Sequence, residues 1–175
     1  MSKRSKAEVS SRRAPVSLAV TGTASFLGST LLKTLEGARG IQSLLALDLK
    51  PPPFKLNRAK WRKMDLTETG VDQKLADLFR RCRVQTLVHA DILNRPIRDL
   101  EHSHELQSVG TMHLLTAAAA ARVRKLVLAS TTDVYGAHPD NPNFLTEEHA
   151  PRGGALRDFL KDKAEVEQQF LKFEK

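Results

Sequence analysis

The sequence predicts an α/β domain, a doubly wound parallel sheet of order 3-2-1-4-5 with helices on both faces. Three observations carry this. From Pro15 onward, short β-branched or leucine-rich runs alternate with longer stretches of helical periodicity, the pattern of βαβ units. Most of the short runs are apolar throughout, as strands buried on both faces are. A glycine-bearing turn, Thr21 to Gly28, joins the first strand to the first helix, and right-handed crossovers then fix the strand order.

The first strand is predicted over Val16 to Val20 and feeds a helix from Phe26 to Glu36, where Leu27, Leu31 and Leu35 recur one helical turn apart. Ser43 to Leu47 follows as the second strand and Ala59 to Met64 as the third. The third is too basic for a buried position and belongs at an edge. A helix over Val71 to Arg81 precedes the fourth strand, Gln85 to His89. A helix over His104 to Ala121, with the alanine run Ala117 to Ala121 suited to close packing, precedes the fifth, Lys125 to Ala129. The last helix spans Leu156 to Phe173.

The chain has 175 residues, enough for one domain over 16–175. With 41% hydrophobic residues it can bury a core. No run of roughly 18 apolar residues occurs and the N-terminus is too polar for a signal peptide, so a membrane span and secretion are not expected. The single cysteine, Cys82, excludes an intrachain disulfide and multi-cysteine metal sites, which suits a cytoplasmic location. None of the six histidines stands at metal-ligand spacing from a cysteine or carboxylate. His102 and His104, two apart at a helix start, read as solvated, so no metal is expected.

The net charge is +8. Residues 1–15 carry Lys3, Arg4, Lys6, Arg12 and Arg13 against Glu8, and read as a mobile basic tail able to meet an acidic partner. A second basic stretch, Lys50, Lys55, Arg58, Lys60, Arg62 and Lys63 around Pro51 to Pro53, reads as a surface loop. Only Phe54 and Trp61 could stack bases there, which argues against nucleic acid.

The glycine turn points to a dinucleotide. In such a turn the first glycine permits the bend, the middle one lets backbone approach the pyrophosphate, and the last packs helix on strand. Gly22 and Gly28 take the outer roles, while Ser25 holds the middle one, where its Cβ and hydroxyl should push phosphates outward. The helix N-terminus at Phe26 and Leu27 still offers amides and its dipole. Asp48 closes the second strand about twenty residues after Gly28, where an acid hydrogen-bonds ribose hydroxyls. A carboxylate there favours NAD over NADP, although Lys50 and the basic loop keep NADP open.

These features, with motifs further on, make the sequence resemble the extended short-chain dehydrogenase/reductase family, the NAD-dependent epimerase/dehydratase group. Thr21 to Gly28 corresponds to its TGxxGxxG turn, Asp65-Leu66 to its Asp-aliphatic pair near the adenine, and Leu87-Val88-His89-Ala90 to its fourth-strand signature. Gly110-Thr111 matches the GT of the following helix. The most specific match is Leu126 to Gly136, followed by Leu145 to Glu148 and Phe159 to Glu167. The resemblance implies a Rossmann-type domain with Gly22, Ser25, Phe26, Leu27, Gly28, Asp48, Asp65, Leu66, His89 and Lys163 at the cofactor. Such families continue into a C-terminal substrate lobe, usually for a nucleotide sugar, so a chain ending at Lys175 is expected to be either a reduced member without that lobe or a part of a longer protein.

The resemblance also locates the chemistry. A Tyr-x-x-x-Lys pair on one helix face, with a Ser or Thr after the fifth strand, exchanges a proton with substrate while hydride moves to or from the nicotinamide. Thr131 and Lys163 match the hydroxyl and the lysine, but the tyrosine position holds Phe159. The only tyrosine, Tyr135, belongs to the separate Val-Tyr-Gly motif. Lys163 reads two ways, as a retained ribose contact or as a side chain snorkelling to solvent. Asp91 and Ile92 replace small alanines of the cofactor cleft, and Gln107 replaces an asparagine near the nicotinamide. The expected function is a cofactor-fold protein with impaired catalysis, acting as a binding, regulatory or interaction module. Its expected contacts are a homodimer or a protein partner through the helices near 104–121 and 156–173. The alternative is an active NAD-dependent epimerase or oxidoreductase of which this chain is the N-terminal part.

Overall fold

The computed structural model describes residues 14–91, 98–153 and 158–173. The predicted tail up to Arg13, Ile92 and Leu156 lie outside the described residues. So does the side chain of Phe159, whose backbone is helical.

Five parallel strands form one sheet: β1 Val16–Thr21, β2 Ile41–Asp48, β3 Lys60–Lys63, β4 Thr86–His89 and β5 Lys125–Leu128. Their order is β3-β2-β1-β4-β5, the predicted one. The basic strand β3 is an edge, with Lys60, Arg62 and Lys63 exposed. Helices α1 Phe26–Gly37, α2 Val71–Cys82, α3 Leu100–His104, α4 Gly110–Ala120 and α5 Asp158–Phe173 complete the layers.

Alternation along the strands divides the core in two. Ala19, Leu45, Leu47 and Leu87 face α2 and α4, meeting Leu75, Phe79, Leu114, Ala117 and Ala118. Val20, Leu44, Ala46 and Val88 face the other way, toward Leu32 of α1, the loop residues Phe54 and Leu56, and Trp61 of β3. Among the described residues no helix is long and apolar enough to cross a membrane.

Two local features depart from the sequence reading. The basic loop is partly structural: the Arg58 guanidinium donates to the carbonyls of Glu36, Ala38 and Ile41 at 3.1, 3.0 and 2.6 Å, closing the end of α1. The Glu36 carboxylate in turn accepts from the backbone N–H groups of Asn57, Arg58 and Ala59. The helix expected from His104 instead starts at Leu100, because the Asp99 side chain caps it by accepting from His102 N at 3.0 Å. It then widens into a π-turn over Glu105–Val109 before α4. Such turns recur near functional sites; here the turn buries Gln107 and Ser108 and brings Gly110 against Leu66, where a Cβ would lie 3.0 Å from the leucine Cβ.

Candidate active site

At the end of β1 the chain turns through Gly22, with φ +69°, and a Cβ there would stand 2.5 Å from the Ala90 carbonyl oxygen. A Cβ on Gly28 would lie 2.1 Å from the Gly22 carbonyl oxygen. Both outer glycines are therefore demanded by the close approach of α1 to β1 and β4. Ser25 N donates to Gly22 O at 3.1 Å, and Ser25 Oγ caps α1 by accepting from Gly28 N at 3.0 Å. The serine thus consumes one of the helix N-terminal amides a phosphate would use, besides adding bulk. Phe26 and Leu27 sit in the first turn with side chains 86% and 50% exposed. Gly28→Ala should cost about 1–3 kcal/mol by overpacking, read as a lower urea midpoint; an unchanged midpoint would mean the turn can move aside.

Asp48, at the tip of β2, is tied into this turn. One carboxylate oxygen accepts from Ala24 N at 2.8 Å and the other from Lys50 N at 3.1 Å. Its two oxygens thus tie the glycine turn to the loop that follows β2. Asp91, two residues past β4, has its backbone N–H beside Gly22. Burial, reinforced by the Asp48 charge, pushes its carboxyl up to about 6. Two acids therefore converge on the glycine turn.

His89 is turned wholly inward. Nδ1 bonds Thr21 Oγ1 at 2.7 Å and Nε2 bonds Thr111 Oγ1 at 3.0 Å, while the ring stacks on Phe170 with centroids 6.1 Å apart. Burial pushes its pKa down to about 4, so it is neutral. It pins β1, β4, α4 and α5 together, and its ring has no free nitrogen for a cofactor. Leu66 is likewise in the core. Asp65 accepts from Thr67 Oγ1 at 2.7 Å and Thr67 N at 3.0 Å, bonds that hold its carboxyl below the usual range.

Thr131 caps the short 3₁₀ turn Thr132–Tyr135, with its hydroxyl 3.4 Å from Asp133 N. It lines an open cleft of about 230 Å³ with Ser130, Val134, Tyr135, Glu147 and Glu167. Ser130 Oγ donates to the Glu167 carboxylate of α5, joining the two sides. Lys163 is only 3% exposed, which removes the snorkelling reading. Burial pulls its pKa down, partly offset by the attraction of Asp133. The Tyr135 phenol is pushed up by partial burial and by Glu147 and Glu167, so it supplies no ready base. Gln107 donates from Nε2 to Ser103 Oγ at 3.2 Å, and its buried Oε1 has no partner among the described residues.

Sequence spacing missed one cluster. The His104 Nδ1 lies 2.8 Å from Asp162 Oδ1, a partner 58 residues on, with Glu165 alongside. His104 is therefore not simply solvated. Only the docking of α5 on α3 creates the pair, and no local signal could have revealed it.

The model of the NAD dependent epimerase/dehydratase family matches residues 18–174. The chain is 31% identical over 160 residues to an uncharacterized protein of Mycobacterium tuberculosis, covering 87% of this chain and 42% of that one. It is 26% identical over 167 residues to human UDP-glucose 4-epimerase, covering 85% and 46% respectively. The structure superposes on the Thermotoga maritima UDP-glucose 4-epimerase crystallised with UDP-glucose at a TM-score of 0.76 and 19% identity, covering 90% of this chain and 51% of that one. Against the Bacillus anthracis dTDP-glucose 4,6-dehydratase in complex with NAD the TM-score is 0.70 at 21% identity, covering 90% and 50%. The chain thus spans about half the length of these relatives. The glycine turn, the sheet order and the match over nearly the whole domain agree: this chain belongs to the NAD-dependent epimerase/dehydratase family.

Proposed function

We propose that this chain is an NAD(P)-binding-fold protein with impaired catalysis, serving as a binding, regulatory or protein-interaction module. The single observation behind this is Phe159 at the tyrosine position, with Thr131 and Lys163 still at theirs. The steric demands at Gly22 and Gly28 preserve a dinucleotide cradle, so the residues fit NAD in shape. In this reading the first-turn amides of α1 seat the pyrophosphate, Asp48 meets the ribose, and Lys163 reaches the nicotinamide end. NAD, when bound, supplies a hydride acceptor. Phe159 can take no proton from a substrate hydroxyl, so hydride removal lacks its partner step.

Ser25 and Asp91 weaken affinity. NAD should bind more weakly than to an intact relative, and Ser25→Gly should tighten it several-fold by freeing the Gly28 amide. Isothermal titration of both proteins checks this, and submicromolar binding by the unaltered chain would reject it. An active epimerase or oxidoreductase on a nucleotide sugar is the second reading, favoured by the retained Thr131 and the buried Lys163. It requires a proton donor other than position 159.

The interaction role rests on the outer surface of α4 and α5. Met112, 50% exposed, lines an open groove with Leu115, Ala119 and Phe173, and Leu171, 57% exposed, lines the neighbouring groove that Leu126, Phe170 and Phe173 share. The alanine run contributes less than its composition suggests, since Ala117 and Ala118 are packed in the core, and Phe170 is engaged with His89. We propose a homodimer through this surface. Light scattering at micromolar concentration should show a dimer that Met112→Asp with Leu171→Asp converts to monomer; a monomeric unaltered chain would reject the interface.

A further inference from the structure

We propose that His104, Asp162 and Glu165 form a site for a divalent transition ion of the zinc type, clamping α5 to α3. Each side chain offers one ligand atom, and the three atoms all lie within 4.8 Å of one another. Asp162 and Glu165 are three apart on α5 and so share a face, while His104 comes from the last residue of α3. Donors around a tetrahedral zinc stand roughly 3.4 Å apart, as bond lengths near 2.0–2.2 Å require. Small rotamer changes therefore suffice to bring these three into a coordination sphere.

The donor set also selects the ion. One imidazole with two carboxylates suits zinc or cobalt better than magnesium, which prefers an all-oxygen shell. Asp162 is only 7% exposed, so its charge is costly unless compensated. In the metal-free protein the His104 ring compensates it from 2.8 Å. A bound cation replaces the imidazole proton and compensates Asp162 and Glu165 together. Lys161 is the nearby positive charge acting on His104, and it limits affinity without occupying a ligand position. His104 is half-exposed, which gives the ion a path in and leaves a coordination position for water.

The test is calorimetric titration of zinc chloride into the tag-free chain, with cobalt(II) visible absorption as a second probe of coordination. One ion should bind per chain, and magnesium should not compete. Glu165→Gln and His104→Gln should each weaken zinc by at least about tenfold, while His102→Gln leaves it unchanged. Glu165→Gln keeps the His104–Asp162 bond, so it tests the ligand role even if His104→Gln loosens the fold. Absence of saturable zinc binding overturns the proposal. So does zinc affinity that survives Glu165→Gln, or affinity that depends on His102 instead.

Discussion

Turnover of a nucleotide sugar by this chain should fall below that of a tyrosine-bearing relative by roughly 10²–10⁴-fold, the usual contribution of a positioned general acid or base. The reason is chemical rather than conformational. Hydride transfer from a carbinol leaves a protonated carbonyl unless a base takes the hydroxyl proton, and Phe159 has none to offer. The phenol of Tyr135 belongs to a different turn and is pushed up in pKa, away from the phenolate form. Lys163 is buried and its pKa is lowered by that burial, and in the proposed reading Phe159 offers it no phenol to tune. Phe159→Tyr alone should recover little, because Ser25 and Asp91 still crowd the cofactor end. Phe159→Tyr combined with Asp91→Asn and Ser25→Gly should do better than the sum of the three. Steady-state assays at a fixed, subsaturating NAD concentration check the ordering, and brisk turnover that depends on Thr131 in the unaltered chain would reverse it.

Replacing Asp91 by asparagine should stabilise the protein near neutral pH on the order of 3 kcal/mol, since a rise from 3.8 to about 6 is roughly two pKa units at about 1.4 kcal/mol each. The sign follows from linkage. The folded chain binds the Asp91 proton more tightly than the unfolded chain, so this contribution to stability is complete below about 3.8 and is lost as pH rises through about 6. Asp91→Asn should remove that slope. Denaturant unfolding at pH 5 and pH 7.5 measures it, and identical slopes in the two proteins would contradict the burial of the charge. NAD affinity should follow the same proton. Either acidification toward pH 6 or Asp91→Asn removes a negative charge beside the glycine turn and tightens the dinucleotide.

Much of the fold was legible because its signals are local. Apolar runs and right-handed crossovers were enough for the sheet, and the basic composition of Lys60 to Lys63 was enough to place β3 at an edge. The start at Leu100 was missed because its signal is one capping side chain, Asp99, ahead of the apolar pattern. The π-turn that buries Gln107 has no periodic signature at all. At the site, Gly22, Gly28 and Asp48 were visible as spacing, and Phe159 as a departure from a motif. What spacing could not supply was where the side chains turn. His89 is consumed by Thr21 and Thr111, Ser25 caps α1 through the Gly28 amide, and Arg58 closes α1. These contacts are made across the sheet or between loops, so they exist only once the layers have docked.

The most direct test of impaired catalysis on an intact cofactor fold is a single-turnover mixture of excess protein, NAD and a nucleotide sugar, followed by the near-ultraviolet absorbance of reduced nicotinamide. A cofactor fold without its proton-exchanging group should bind NAD saturably and leave it oxidised over the time an intact relative needs for many turnovers. Reduced nicotinamide approaching the amount of bound NAD, and abolished by Thr131→Ala, would contradict it.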